Sequence, residues 1–151
     1  MLNADDRRML RILQTEPEAS LSVLADKIGI SGSALTRRLV DLRQKNIIKR
    51  TRATVDWKAL GYEIEVSLRI RFDKSSPRAL DEIIAAARQI DEVIEIQTFI
   101  GQVELRLGVI AFDLAHYQQL YRSKILTLPH LVDIEALMHI GRIKNERLLP
   151  L

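Results

Sequence analysis

The chain has 151 residues but no cysteine, four prolines and a single tryptophan, and aromatic residues make up only 5% of it. The lack of cysteine excludes disulfide bonds, zinc sites with thiolate ligands and a cysteine nucleophile. No apolar run is long enough to span a membrane, and residues 1–6 have neither the basic region nor the apolar core of a signal peptide. With 47% hydrophobic and 28% charged residues, the composition is that of an ordinary globular protein. We therefore expect a cytoplasmic protein with no membrane partner.

Positive charge is concentrated in the first part of the chain. Residues 1–58 contain 12 Lys and Arg against 7 Asp and Glu, a net charge of +5, whereas residues 59–151 contain 11 against 13, a net charge of −2. The imbalance is sharpest over residues 27–58, where nine basic residues face two acidic ones. A polyanion is the natural partner of such a patch, and the affinity that the patch supplies falls steeply as the salt concentration rises.

Residues 21–42 have the pattern of two short helices with a break between them. Apolar residues recur at helical spacing on both sides of Gly29, which ends the first helix, and Ser31 is a favourable N-cap for the second. The outward face of the second helix is polar and cationic, which suits a recognition helix in the major groove. Because helix pairs joined by a glycine are common, the pattern alone is equally compatible with a plain helical hairpin. The inward-facing residues are Leu21, Leu24, Ala25 and Ile28, then Leu35, Leu39 and Leu42.

The flanking segments extend this motif to a winged helix-turn-helix. A first helix is expected over residues 4–15, with Asn3 as its N-cap, and it supplies the third helix that closes the core. Residues 47–55 are predicted to form a short basic β-hairpin, which would be the wing. We therefore assign residues 1–56 to a winged helix-turn-helix DNA-binding domain and residues 57–62 to a linker.

From residue 63 onward the apolar spacing changes from that of a helix to that of a strand. Alternation predicts strands over residues 63–72, 93–100, 103–110 and 132–140, with one helix after the first strand and another before the last. This order is that of a ferredoxin-like βαββαβ unit, an antiparallel sheet with both helices on one face. The chain is therefore predicted to be an α+β protein whose second domain covers residues 63–151. The other sheet face mixes apolar and charged side chains, so we expect a second copy of the chain to cover it.

Catalytic chemistry has little support in the sequence, although a ferredoxin-like domain can carry an enzyme site. The histidines His116, His130 and His139 fall on a predicted helix, loop and strand without the spacing of metal ligands. There is no glycine-rich phosphate loop and no nucleophile elbow. No catalytic residue, metal ligand or cofactor is predicted. His139 is nevertheless a candidate for binding a small molecule, because a strand face at a subunit cleft would present it to a ligand.

In their order and spacing, these features resemble the Lrp/AsnC family of feast/famine transcriptional regulators. The resemblance runs from Leu2 to Leu151, and no single piece carries it alone. The matching pieces are Leu2 to Asp6, Leu10 to Leu13, Leu24-Ala25, Ile28 to Ser31, Arg38-Leu39, Leu42, Ile47-Ile48, Leu60-Gly61, Gly101, Leu128-Pro129, Ile143-Lys144 and Leu149-Pro150.

The resemblance implies that the second domain forms homodimers, which assemble further into an oligomer such as an octamer, and that it binds a small-molecule effector, often an amino acid. Relatives have a Gly-x-x-Asp pattern in the turn beside the effector cleft, and here the turn is Gly101-Gln102-Val103-Glu104. Gly101 would bring the backbone close to a ligand, and Glu104 would pair with its amino group. The alternatives are a plain hairpin turn and a solvated strand residue. The expected effector-binding residues are Gly101, Gln102, Glu104 and His139.

We expect the partner of the first domain to be double-stranded DNA, bound by a sequence-specific regulator of transcription. The start of the recognition helix would reach base edges, and the wing would contact the DNA backbone. Ser31 and Arg38 would hold phosphate or the adjoining core. The alternative is an architectural DNA-binding protein with low sequence preference. Besides Ser31 and Arg38, the predicted contacts are Ser33, Thr36 and Arg37 for base edges, and Lys49, Arg50 and Arg52 for the backbone.

Overall fold

A computed structural model describes residues 2–144 and 148–151 of the chain. It divides into two compact units, one made of Met1–Thr54 with Lys144–Leu151 and the other of Val55–Ile143. The segment after residue 143 thus belongs to the first unit, whereas the sequence assigned it to the second domain. The predicted domain limits stay a prediction. No helix among the described residues is both long enough and apolar enough to cross a membrane.

The first unit is built on three helices, α1 (Ala4–Thr15), α2 (Leu21–Ile28) and α3 (Gly32–Gln44). All three were predicted, and their ends follow from local chemistry. The Asn3 side chain accepts from Asp6 N in a capping box, and Gly29 ends α2 in the left-handed conformation with φ 83°. The helices enclose one apolar core of Met9, Leu10, Leu24, Ala25, Ile28, Leu35, Leu39 and Leu42.

The hairpin predicted as a wing is not formed. No strand lies between Gln44 and Ile64, a stretch that the structure describes throughout, and residues 49–56 are all exposed. A two-stranded hairpin needs a further strand or a packed face to be stable in water, and this segment finds neither within its unit. Three cations within four residues also repel one another. The helix-turn-helix is therefore confirmed, and the β-structure of its wing was wrong.

The second unit is an antiparallel sheet of four strands in the order β2-β3-β1-β4, with the helices following β1 and β3. This confirms the ferredoxin-like α+β fold. The loop between β2 and β3 is longer than predicted, because β2 ends at Thr98 and β3 begins only at Leu105. The elements are β1 (Ile64–Phe72), α4 (Ala79–Ala87), β2 (Val93–Thr98), β3 (Leu105–Ala111), α5 (Leu114–Leu120), a π-helical turn (Tyr121–Ile125) that continues α5, and β4 (Leu131–Met138).

Only one face of the sheet is buried. Alternate residues of β1 and β3, such as Leu68 and Leu107, are fully buried beneath the two helices with Ile83 and Ile125. The opposite face carries cross-strand ion pairs, Arg69–Glu135 and Arg71–Asp133, next to Leu137, which is 36% exposed. The hydrogen bonds from Arg71 lower the pKa of Asp133 below its ordinary value. This outer face is the mixed surface that the sequence predicted.

Candidate DNA-binding surface and effector cavity

The recognition helix α3 is held at its start by side-chain caps. Ser31 Oγ accepts from Ala34 N at 3.3 Å, so this hydroxyl completes the helix rather than pointing away from it. Thr36 Oγ1 donates to Gly32 O at 2.9 Å and keeps its lone pairs. Ser33, Thr36 and Arg37 are all exposed on the outward side. The predicted base-contacting residues therefore share one accessible surface.

Arg38 is the exception among the cations of α3. Its guanidinium donates to Asp6 Oδ1 at 3.0 Å, to Asn3 Oδ1 at 3.0 Å and to Asp5 Oδ2 at 3.2 Å. These bonds connect the recognition helix to the N-terminal turn of α1. The sequence left two roles open for Arg38, a phosphate contact and a contact to the adjoining core, and this geometry favours the second.

The other basic residues of the segment from residue 27 to residue 52 fall into two groups. Lys27 pairs with Glu16 at 2.5 Å, and Lys45 pairs with Asp41 at 2.6 Å, so each charge is partly neutralised. The second group is exposed and, within the described part of the chain, takes part in no ion pair. Cations without acidic partners give up no internal contact on meeting phosphate. This second group is Arg37, Arg43, Lys49, Arg50 and Arg52.

A cavity of about 420 Å³ lies in the second unit beside the loop between β2 and β3. Its volume is within the range of sites for small ligands. The register that places Ile70 opposite Leu105 brings the end of β1 next to the start of β3, which forms one wall. Apolar side chains dominate the lining, and two charged ones stand among them. The lining residues are Phe72, Lys74, Ser76, Pro77, Leu80, Thr98, Phe99, Ile100, Gly101 and Glu104.

Glu104 supplies the negative charge of this cavity. Its side chain is 15% exposed, and one carboxylate oxygen lies 2.5 Å from Lys74 Nζ. The other accepts from Phe72 N at 3.4 Å. The hydrogen bond from Lys74 lowers the pKa of Glu104 below its ordinary value, and that from Phe72 N acts in the same direction. Glu104 is therefore a carboxylate at neutral pH.

Of the other three predicted effector-binding residues, only Gly101 lines the cavity. Gly101 lines the cavity with φ 154°, a conformation that residues with a side chain rarely adopt. Gln102 is exposed on the loop and is not part of the lining. His139 lies at the opposite end of β1, where its N donates to Glu65 O at 2.8 Å and its ring nitrogen is 3.3 Å from Glu65 Oε1. Within one chain, the structure thus brings Gly101 and Glu104 together but not His139.

Sequence reasoning missed much of the cavity, including Phe72, Lys74, Leu80 and Phe99. Phe72 and Lys74 come beside Glu104 because β1 pairs with β3, and Leu80 belongs to α4. Phe99 is in the same loop as Glu104, and its N donates to Glu104 O at 2.8 Å. Lys74 lies two residues after the predicted first strand, but this position alone predicts no contact with Glu104. Among the described residues, no group of His, Asp and Glu is arranged to hold a metal ion.

Two family models match the chain. That of the Lrp/AsnC ligand binding domain matches residues 65–149, and that of a winged helix-turn-helix DNA-binding domain matches residues 2–49. The helix-turn-helix range covers the three helices of the first unit, and the ligand-domain range covers the sheet and runs on into the last segment of the first unit.

Individual proteins are also similar to the chain over nearly its whole length. The chain is 28% identical over 146 residues to the glutamate uptake regulatory protein of Zymomonas mobilis. The aligned region covers 97% of this chain and 88% of that protein. An AsnC family transcriptional regulator from Agrobacterium tumefaciens superposes with a TM-score of 0.89 at 27% identity, over 99% of this chain and 97% of that one. A transcriptional regulator from Neisseria meningitidis, solved as a complex with L-methionine, superposes with a TM-score of 0.92 at 20% identity, over 99% of this chain and 97% of that one. At this identity, the similarity shows that the two proteins share a fold.

Proposed function

Because the chain belongs to the Lrp/AsnC family of transcriptional regulators, we propose that it binds specific DNA sites as a symmetric oligomer and that an α-amino acid with an apolar side chain controls this binding. The observation that carries the proposal is the apolar cavity with the Glu104 carboxylate in its wall. The related proteins are named as regulators rather than as enzymes, and we propose that this chain has no catalytic activity of its own. Such a regulator acts on DNA in the cytoplasm.

In the DNA complex, the exposed start of α3 enters the major groove. Ser33, Thr36 and Arg37 contact base edges there, and Arg37 offers the paired donors that guanine accepts. The exposed segment with Lys49, Arg50 and Arg52 lies along the phosphates and supplies affinity without sequence preference. Ser31 and Arg38 keep α3 in place rather than contacting the DNA.

The effector is proposed from the chemistry of the cavity. Glu104 receives the α-ammonium group, and Lys74, already beside it, can turn to the α-carboxylate. Phe72, Leu80 and Phe99 surround the side chain, and they favour an apolar one because a charged group there would lose its hydration. The complex of the Neisseria meningitidis regulator with L-methionine, an amino acid of this class, supports the choice.

An oligomer is proposed from the sheet and from the needs of DNA recognition. The outer face exposes Leu137 among cross-strand ion pairs, and a second copy would cover it. A dimer presents two recognition helices to half-sites about one helical turn apart, or a multiple of that. Further assembly, as in an octamer, would bring other copies to the cavity. Gln102 and His139 do not line it within one chain, so their predicted effector contacts require such a neighbour.

Thermal-shift measurements with each of the twenty amino acids test this proposal, because a ligand that binds only the folded state raises the melting temperature. Methionine, leucine and isoleucine are expected to raise it more than aspartate or lysine. The Glu104→Gln variant should lose the response. The Arg37→Ala variant, altered in the other unit, should keep it. A flat result across the panel, or the largest shift from an acidic amino acid, would contradict the proposed effector class.

A further inference from the structure

Residues 148–151, called here the return segment, lie against helix α1 of the first unit. Leu149 N donates to Gln14 Oε1 at 2.6 Å, and Arg11 Nε donates to the carbonyl oxygen of Leu151. The Leu151 side chain packs on the apolar core that α1 shares with α2 and α3. Two side chains of one helix thus hold the main chain of the segment, while the Leu151 side chain packs against the core.

The exposure of the three leucines of this segment shows which of their side chains packs on the first unit. Leu148 is 46% exposed and Leu149 is 64% exposed, whereas Leu151 is only partly exposed and contacts the core. Arg11 and Gln14 are three residues apart and therefore lie on one face of α1. That face receives the main chain of the segment through two hydrogen bonds, and the Leu151 side chain adds an apolar contact with the core of the unit.

We propose that the return segment is an integral part of the DNA-binding unit, docked on α1 of its own chain, and that it stabilises the platform that holds the recognition helix. Helix α1 links the two contacts. Its last turns hold the return segment through Arg11 and Gln14, and its first turn holds Arg38 of α3 through Asp5 and Asp6. Opening of the segment would loosen α1 and, with it, the support of α3.

The two units are therefore not consecutive along the chain. Residues 55–143 are inserted between two pieces of the DNA-binding unit, so the chain passes between the two units twice. The second passage, at residues 143–144, links the sheet unit covalently to the piece of the DNA-binding unit that docks on α1, in addition to the link at residues 54–55. Substitutions in the last four residues are therefore expected to act on the DNA-binding unit and not on the fold of the sheet.

Hydrogen–deuterium exchange on the full chain tests the proposal. Leu151→Asp should make the amides of α1 exchange roughly fivefold faster, as expected from the loss of a partly buried leucine contact. Leu149→Asp introduces the same charge two residues away at an exposed side chain and should change α1 much less. Leu151→Ala, which adds no charge, should give a smaller effect in the same direction as Leu151→Asp. The strands β1 and β3 should exchange as in the unaltered chain in all three variants.

Two results would overturn the inference. One is equal exchange of α1 in the Leu151 variants, the Leu149 variant and the unaltered chain, which would mean that the segment contributes nothing to the unit. The other is protection of α1 that rises with protein concentration in the unaltered chain but not in Leu151→Asp, which would mean that the segment comes from a second copy. Retained protection at high dilution, lost in Leu151→Asp, is the result expected for docking within one chain.

Discussion

The guanidinium of Arg38 lies 3.0 Å from the carboxylate of Asp6, and this contact holds the recognition helix to the first turn of α1. Asp6 is 15% exposed at its side chain and Arg38 is 28% exposed, so both charges are partly withdrawn from water. Removing Arg38 would leave the carboxylates of Asp5 and Asp6 without this partner.

Replacing Arg38 by alanine is expected to lower the free energy of unfolding by about 2 kcal/mol, the usual size for lost hydrogen bonds to a charged group. Urea denaturation followed by circular dichroism measures it. Arg37→Ala is the matched control, because the neighbouring side chain is exposed and takes part in no ion pair within the described residues. Equal destabilisation by the two substitutions would show that the contact with α1 is not what makes Arg38 important.

Acidification is expected to weaken the second unit through Glu104. The Lys74 hydrogen bond lowers the pKa of this folded-state carboxylate below the ordinary 4.5, so the ionised form stabilises the fold. This contribution is fully present above pH 4.5 and is lost as the pH falls through the lowered value. The stability difference between the unaltered chain and Glu104→Gln should therefore shrink on going from about pH 7 to about pH 3.5.

Denaturant titrations at both pH values measure this difference. Asp133, whose pKa is also lowered, is present in both proteins, so its titration cancels in the comparison. A difference that stays constant over the whole range would contradict the ionic role of Glu104.

Substitution of Gly101 is expected to destabilise the fold because of the backbone conformation at this position, and not because an added side chain would clash. Its φ is 154°, and an added Cβ would meet no atom within 4 Å. Gly101→Ala should therefore cost about 1 kcal/mol of stability and weaken amino-acid binding at the cavity. Gly141 also has open space around its Cβ position but lacks the unusual φ, so Gly141→Ala should change neither quantity. Equal behaviour of the two variants in thermal unfolding would refute the argument from conformation.

The parts of the fold that were predictable from sequence depend on neighbouring residues. Asn3 and Ser31 cap helices at the expected positions, and Asp113 caps α5 with the same chemistry. Asn46, just after α3, has a left-handed φ of 54°. Strand alternation in residues 64–72 likewise gave β1 and its buried face. Each of these features is determined by residues within about one helical turn of each other, or within a few positions along one strand.

The parts that were not predictable depend on contacts between distant segments. The basic residues near Arg50 resemble a hairpin locally, but nothing in the described part of the unit pairs with them, and the segment has no strand. Lys74 reaches Glu104 only because β1 and β3 pair, and its place in the cavity could not be found from spacing. The contact of Leu151 with the first unit bridges most of the chain: the apolar residues 148–151 indicate that a surface covers them, but they do not identify it.

We propose that the exposed start of α3 selects a DNA sequence, whereas the cations after it supply general affinity. These two roles are separated by measuring the affinity of the unaltered chain, Arg37→Ala and Arg50→Ala for a fragment from beside its own gene and for a shuffled fragment, over a range of salt concentrations. Arg37→Ala should lose preference for the native fragment by about 1–3 kcal/mol, whereas Arg50→Ala should weaken both fragments alike and reduce the salt slope by about one. Equal affinity of the unaltered chain for both fragments would contradict the claim and favour an architectural DNA-binding protein.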